Sequence, residues 1–258
     1  MLNRHKWDHA NFHRSLATLA RVRSGHQVLD LGCGPGATLD ALLESVGEDG
    51  KVFALDRMKG TLAQVAARYA AAVESGRLVV VHGDVQAPPF AEGAFDAIVC
   101  QNVVECLRDR DALVVQAARM LKPGGTLLLG HHDFDGVIIA HDDRELTRRL
   151  VHGFAGYKQD WQEAVEGQMG RLIPGLVSNA SFASVEIETA MFVDLDLGEG
   201  SYAGVYLECL AAVAPAIGVS KDEMERWTAS LKKAASESRF FFGLSWIAAI
   251  CRKAEAEV

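Results

Sequence analysis

Through about residue 130, short apolar runs alternate with stretches of helical period. HQVLDL (26–31), KVFALD (51–56), RLVVVHG (77–83), FDAIVCQN (95–102) and TLLLGHH (126–132) read as strands. They are apolar almost throughout, as strands buried on both faces must be. TLDALLESV (38–46), LAQVAARYAAAVESG (62–76) and DALVVQAARML (111–121) read as helices. Gly76 closes the second, and Lys122-Pro123-Gly124-Gly125 stops the third. Strand and helix in strict alternation predict right-handed βαβ units, hence a parallel sheet with helices on both faces. In such a sheet, ligands bind at the carboxyl ends of the strands.

After residue 132 the rhythm changes. Residues 141–180 and 201–236 read as mostly helical, SVEIETAMFVDLDL (184–197) as a long strand, and RFFFGLSWIAAICRK (239–253) as a final strand. The expected organisation is one α/β domain over residues 1–258, opened by a helix within 1–24. Its core comprises 25–133, 184–198 and 239–253, and helical insertions at about 134–180 and 199–237 are placed to cap the ligand crevice.

The chemistry gathers at the predicted strand ends. In VLDLGCGPGATLD (28–40) an acid precedes three glycines at alternate positions, so bare backbone comes close to a ligand. The pattern loosely satisfies the dinucleotide fingerprint, which is a weak signal alone. Asp30, two residues before Gly32, is unhelpful beside a pyrophosphate but suits the ammonium of an amino acid. Pro35 removes an amide that a phosphate cradle would use. No Gly-Lys-Ser/Thr follows, which excludes a P-loop. Asp56, at the end of the second strand, can accept from ribose hydroxyls, as NAD and S-adenosylmethionine both require. Asp84, after the third, can accept from an adenine amino group while a neighbouring amide donates to a ring nitrogen. Acids at three successive strand ends suit a ligand with an ammonium, a ribose, an adenine and a sulfonium charge.

With VLDLGCGPG, then ALDR, then GDVQAPPFAEGAFDAIVCQNVVECLRD, then LKPGGTLLLG, residues 20–132 resemble the class I S-adenosylmethionine-dependent methyltransferases, and among them the small-molecule, UbiE-like branch. The resemblance implies a three-layer, Rossmann-like sheet of seven strands in the order 3-2-1-4-5-7-6, the seventh antiparallel. It implies that Asp30, Gly32 and Gly34 hold the methionine moiety and Asp56 the ribose. Arg57 and Met58 would flank the adenine, and Asp84 and Val85 would bind its edge. Gln101 and Asn102 would face the methionine end or the substrate. Where this branch often has a histidine-containing stretch after strand four, this chain has Val103 to Leu107, and Glu105 receives no role.

His131, His132 and Asp133 follow strand five, where a substrate would approach the sulfonium, and are the candidate acid/base groups. His141 and His152 are expected on the surface or a lid. Trp7, Phe12 and Arg14 could cover the cofactor from the N-terminal helix. Phe154, Tyr157, Trp161, Met169, Tyr202 and Tyr206 are, as a group, candidates for an apolar substrate pocket. No metal-ligand set is evident, and no metal is expected.

The expected activity is methyl transfer from S-adenosylmethionine to an O, N or C nucleophile of a small, partly apolar metabolite. A protein that binds the cofactor without transferring methyl is the alternative, and turnover separates the two. An NAD-dependent oxidoreductase is disfavoured by Asp30 and Pro35. Composition narrows the partners. The formal net charge is −8, which disfavours nucleic acid, whose binding runs on phosphate neutralisation. The five cysteines are odd in number and form no CxxC, which fits a cytoplasmic location better than a disulfide framework or a zinc site. The N-terminus lacks a secretory apolar core, and FFFGLSWIAAIC (240–251) is too short to span a membrane. No membrane partner is expected, and oligomeric state is not legible.

Overall fold

The computed structural model describes residues 9–178, 180–198 and 200–256. Helix α1 (His9–Leu19) leads into β1 (Gln27–Leu31), α2 (Leu39–Val46), β2 (Lys51–Asp56), α3 (Lys59–Arg68), α4 (Ala70–Glu74) and β3 (Leu78–His82). There follow β4 (Phe95–Gln101), α5 (Arg110–Met120), β5 (Leu121–His132), β6 (Ile138–Ile139), α6 (Arg144–Ala155) and α7 (Met169–Ser178). The chain continues with β7 (Ser184–Asp194), α8 (Tyr202–Val213), α9 (Lys221–Ser236) and β8 (Phe242–Arg252).

The sheet runs β3-β2-β1-β4-β5-β8, and β7 closes the far edge of β8. β1 to β5 are mutually parallel, and β8 is antiparallel to both β5 and β7. This is the expected order, with one addition. The two-residue β6 continues the β5 edge of β8, pairing Ile138 with Gly243 and Ile139 with Phe242.

Alternate residues of the central strands feed two cores. Val28, Val52, Ala97, Val99 and Leu128 share one core with buried residues of α1, α2, α8 and α9, while Leu29, Leu31, Ile98, Leu127 and Leu129 share the other with α5 and α7. Both faces are dry, which explains the near-continuous apolar strands.

Several boundaries differ from the pattern reading. The helix expected over 62–76 is broken at Tyr69 (φ −108°, ψ 28°), whose hydroxyl reaches the carbonyl of Gly36 at 3.4 Å. β5 begins at Leu121 because that residue already pairs with Phe95 before the chain bulges through Pro123 and Gly124. Pro215, with Gly218 at φ 75°, separates α8 from α9, which restarts on a Ser220/Glu223 capping box. No helix among the described residues is long and apolar enough to cross a membrane.

Candidate active site

Asp30 sits near the carboxyl end of β1, only 3% exposed, and its Oδ2 has no hydrogen-bond partner. Burial first, then the charge of Asp56, pushes its carboxyl up to about 7. The chain then turns through Gly32 (φ 83°), Gly34 (φ 49°) and Gly36 (φ 81°). A Cβ on Gly32 would lie 2.5 Å from Cγ2 of Val103, so this position requires glycine for space as well as for conformation. The amides of Gly32 and Cys33 both donate to the Leu55 carbonyl at 2.9 Å, which locks the turn to β2.

Asp56 ends β2 and reinforces that lock. Its Oδ2 accepts from the Gly34 amide at 2.9 Å and its Oδ1 from the Met58 amide at 2.8 Å. Asp84 follows β3 and accepts from the Gln86 amide at 2.8 Å in a local turn. At the end of β4, Gln101 Oε1 accepts from the Trp246 indole at 2.9 Å, leaving its buried Nε2 without a partner. Asn102 adopts φ 54°, uncommon for a residue with a side chain. That conformation turns its Oδ1 onto the His132 amide at 3.0 Å and its Nδ2 to 2.9 Å from His132 Nδ1.

These groups share one cavity of about 540 Å³. Asp30, Gly32, Gly34, Asp56, Arg57, Met58, Asp84, Val85, Gln101 and Asn102 all line it. The wall expected from the N-terminal helix is supplied by α1, with a residue that the sequence did not single out. His13 is buried there, with Nδ1 3.1 Å from the hydroxyl of Thr38, and both residues face the cavity. The available signal was the apolar face of α1, on which Phe12, Leu16, Ala17 and Ala20 are also buried. Phe12 lines the cavity too, whereas Arg14 is exposed and paired with Glu44 at 3.1 Å. Trp7 lies outside the described residues.

The three candidate acid/base residues separate. His132 lines the cavity, surrounded by the rings of Phe12, Phe134, Phe192 and Tyr202. Its buried Nε2 has no partner. Burial, then the neighbouring His131 and His13, lowers its pKa to about 3, so the ring is neutral. His131 and Asp133 are corrections, because neither lines the cavity. Strand alternation turns His131 to the opposite face, where its Nδ1 donates to the His132 carbonyl at 2.7 Å. Its Nε2 lies 3.8 Å from Glu105. That contact is no ion pair: burial lowers His131 to about 4 and raises Glu105 to about 7. Asp133 is consumed by Arg171, whose Nε donates to Oδ2 at 2.7 Å and whose amide donates to the same oxygen at 3.1 Å.

Of the six insert residues, Trp161 and Tyr202 line the cavity, while Phe154, Met169 and Tyr206 pack into the cores and Tyr157 lies off it. Trp161, 51% exposed, belongs to an irregular strap between α6 and α7 that borders the cavity. Arg57 Nη1 holds Glu163 of that segment at 2.7 Å, and Arg57 Nη2 donates to the Trp161 carbonyl. The amides of Glu163 and Ala164 donate to the Cys106 carbonyl at 3.0 and 3.1 Å. His141 stacks on Trp227, and the exposed His152 meets Asp135 at 3.0 Å.

The residue set fits a cationic amino-acid nucleoside: an unpartnered buried carboxylate, a glycine turn and two further acids. The comparisons agree. Residues 29–129 match the family described as "Methyltransferase domain". An uncharacterized 37.1 kDa protein in a Streptomyces fradiae transposon is 31% identical over 165 residues, 63% of this chain and 45% of that protein. The ubiquinone/menaquinone biosynthesis C-methyltransferase UbiE of Saccharophagus degradans is 32% identical over 111 residues, 43% of this chain and 45% of that enzyme. The chain thus spans a little under half the length of these relatives. The YcgJ protein of Bacillus subtilis has the same fold, with a TM-score of 0.59 at 19% identity over 95% of this chain and 100% of its own. Residues 29–129 thus match a methyltransferase domain, and over less than half of this chain they are similar to an enzyme of the UbiE type.

Proposed function

We propose that this protein transfers the methyl group of S-adenosylmethionine to an O, N or C nucleophile of a small, uncharged, partly apolar metabolite. The cofactor supplies the electrophilic methyl; the chain supplies position and exclusion of water. The observation that carries the reading is Asp30, a buried carboxylate with an unpartnered oxygen, in one cavity with Asp56 and Asp84. The substrate class is read from the remaining wall. Phe12, His13, Thr38, Gln101, Asn102, His132 and Tyr202 are aromatic or neutral polar, and a charged substrate would find no counter-ion among them. Release of S-adenosylhomocysteine, measured across panels of phenols, enols, amines and carboxylates, tests this. Turnover confined to carboxylates would contradict it, and binding without turnover on any class would favour the non-transferring alternative.

His132 has a specific part in this reading. Asn102 brings Nδ2 to 2.9 Å and Oδ1 to 3.1 Å from His132 Nδ1, and in this reading the shorter contact holds, with Nδ2 donating to Nδ1. The ring proton then sits on Nε2, and His132 donates a hydrogen bond to a substrate oxygen rather than acting as the base. His132→Ala is expected to lower turnover about tenfold to a hundredfold, as loss of a buried hydrogen bond requires, with little change in cofactor affinity. At saturating cofactor, no rate limb between pH 5 and 8 should belong to His132, because its pKa lies near 3. A limb near the ordinary histidine value that vanishes in His132→Ala would restore it as a base.

The strap gives a smaller effect. Arg57 and Glu163 are each about one-third exposed, at 35% and 31%, so solvent screens their attraction. Glu163→Gln should speed S-adenosylhomocysteine dissociation by no more than about fivefold in stopped flow, the ceiling for a pair worth about 1 kcal/mol. A change of a hundredfold would mean that the strap does more than latch.

A further inference from the structure

A second cavity, of about 690 Å³, lies between α6, α9 and the segment from Val137 to Asp142. It shares no lining residue with the first. Its chemistry is opposite in sign. The chain as a whole carries 26 Lys and Arg against 34 Asp and Glu. Yet Arg144, Arg148, Lys233 and Arg239 line this groove with Asp142 as its one carboxylate.

The helices explain how the cations meet. Arg144 and Arg148 are four apart on α6 and therefore share a face. Lys233 stands opposite on α9, next to Ala234, whose small side chain leaves the groove open. Ser238, at φ 56°, turns the chain so that Arg239 joins them.

Fold stability does not account for the cluster. Like charges drawn together are unfavourable in the free protein. Among the described residues, neither Arg144 nor Arg148 pairs with an acid, whereas the adjacent Arg149 is spent on Glu223 at 3.1 Å and on the Gly218 carbonyl at 3.0 Å. Arg239 has a partial neutraliser in Glu237. His141 is already satisfied: its Nδ1 accepts from the Asp143 amide and its Nε2 donates to the Trp227 carbonyl.

We propose that this groove binds a small soluble polyanion bearing a diphosphate or two phosphates. Guanidinium forks match phosphate oxygens two at a time, which favours phosphate over isolated carboxylates. The volume lies in the range of small-molecule pockets. The site is separate from the cofactor cavity and stands whether or not methyl transfer is the activity.

The test is calorimetric titration of the full chain with inorganic pyrophosphate at low and physiological salt. One site is expected, with affinity that falls several-fold as salt rises. Arg144→Ala/Arg148→Ala should weaken it at least tenfold, while S-adenosylhomocysteine affinity and the thermal melt stay as in the unmodified protein. Both arginines are exposed, so the double variant should fold, and the melt reports folding even if S-adenosylhomocysteine binds neither protein. Absence of pyrophosphate binding, equal binding by the double variant, or displacement of pyrophosphate by S-adenosylhomocysteine would each overturn the proposal. So would capture by phosphatidylserine-containing vesicles without pyrophosphate binding, since that points to a membrane surface.

Discussion

Asp56→Ala is expected to weaken S-adenosylmethionine binding by about a hundredfold to ten-thousandfold, the loss of two charge-assisted hydrogen bonds at roughly 1.5–3 kcal/mol each. The ribose hydroxyls would lose their acceptor at the end of β2. A second effect acts in the same direction. The same carboxylate holds the amides of Gly34 and Met58, so its removal also loosens the glycine turn. Asp56→Asn separates the two effects, because the amide retains one acceptor for the turn but loses the charge and one ribose partner. It should fall between the native protein and the alanine variant in calorimetry. Native-like affinity in Asp56→Ala would remove the ribose assignment altogether.

Cofactor affinity should fall as the solution is acidified, with Asp30 as the cause. In the free protein its carboxyl is raised from 3.8 to about 7, by burial first and by Asp56 second. Below that value it is protonated and cannot pair with an ammonium. The ammonium is lost at the other end, near the ordinary α-amino pKa of about 7.8. Affinity should therefore peak between the two and be about fivefold weaker at pH 6 than at pH 7.3. Asp30→Asn should bind more weakly at pH 7.3 and show no acid limb. A native acid limb that persists in Asp30→Asn would assign the proton elsewhere. Stability moves in step. A raised carboxyl contributes its stability below the unfolded value and loses it as pH rises through the folded one. The cofactor-free protein should thus lose stability between about pH 4 and 7, through Asp30 and likewise Glu105, and bound cofactor should cancel the Asp30 share.

The cavity wall built from Asp30, the glycine turn, Asp56 and Asp84 was legible because each of its residues is fixed by local chain chemistry. An acid at a strand end followed by a turn that only glycine can make is a one-dimensional pattern, and so are Asp56 and Asp84 at the next two strand ends. The parallel sheet was legible because buried parallel strands are apolar throughout, whereas its strand order and the antiparallel β8 were implied by the family resemblance and not by the pattern. The facing wall was legible only in part: His132 and Tyr202 were candidates, but nothing local placed them together or beside His13, because that wall is assembled from distant elements. His13 on α1, His132 on β5 and Tyr202 on α8 meet only in the folded chain. Sequence adjacency also misled. His131, His132 and Asp133 are consecutive, but pleating sends His131 to the opposite face, and Arg171 on α7 claims Asp133. The cationic groove left no trace as a motif, since two of its cations lie on α6 and two on and after α9.

VLDLGCGPGATLD and the acids beyond it are expected to hold S-adenosylmethionine. Side-by-side calorimetric titration with S-adenosylmethionine, S-adenosylhomocysteine and NAD tests it most directly. The first two are expected to bind, and NAD is not. Binding of NAD alone, or of none of the three to a folded protein, would contradict it.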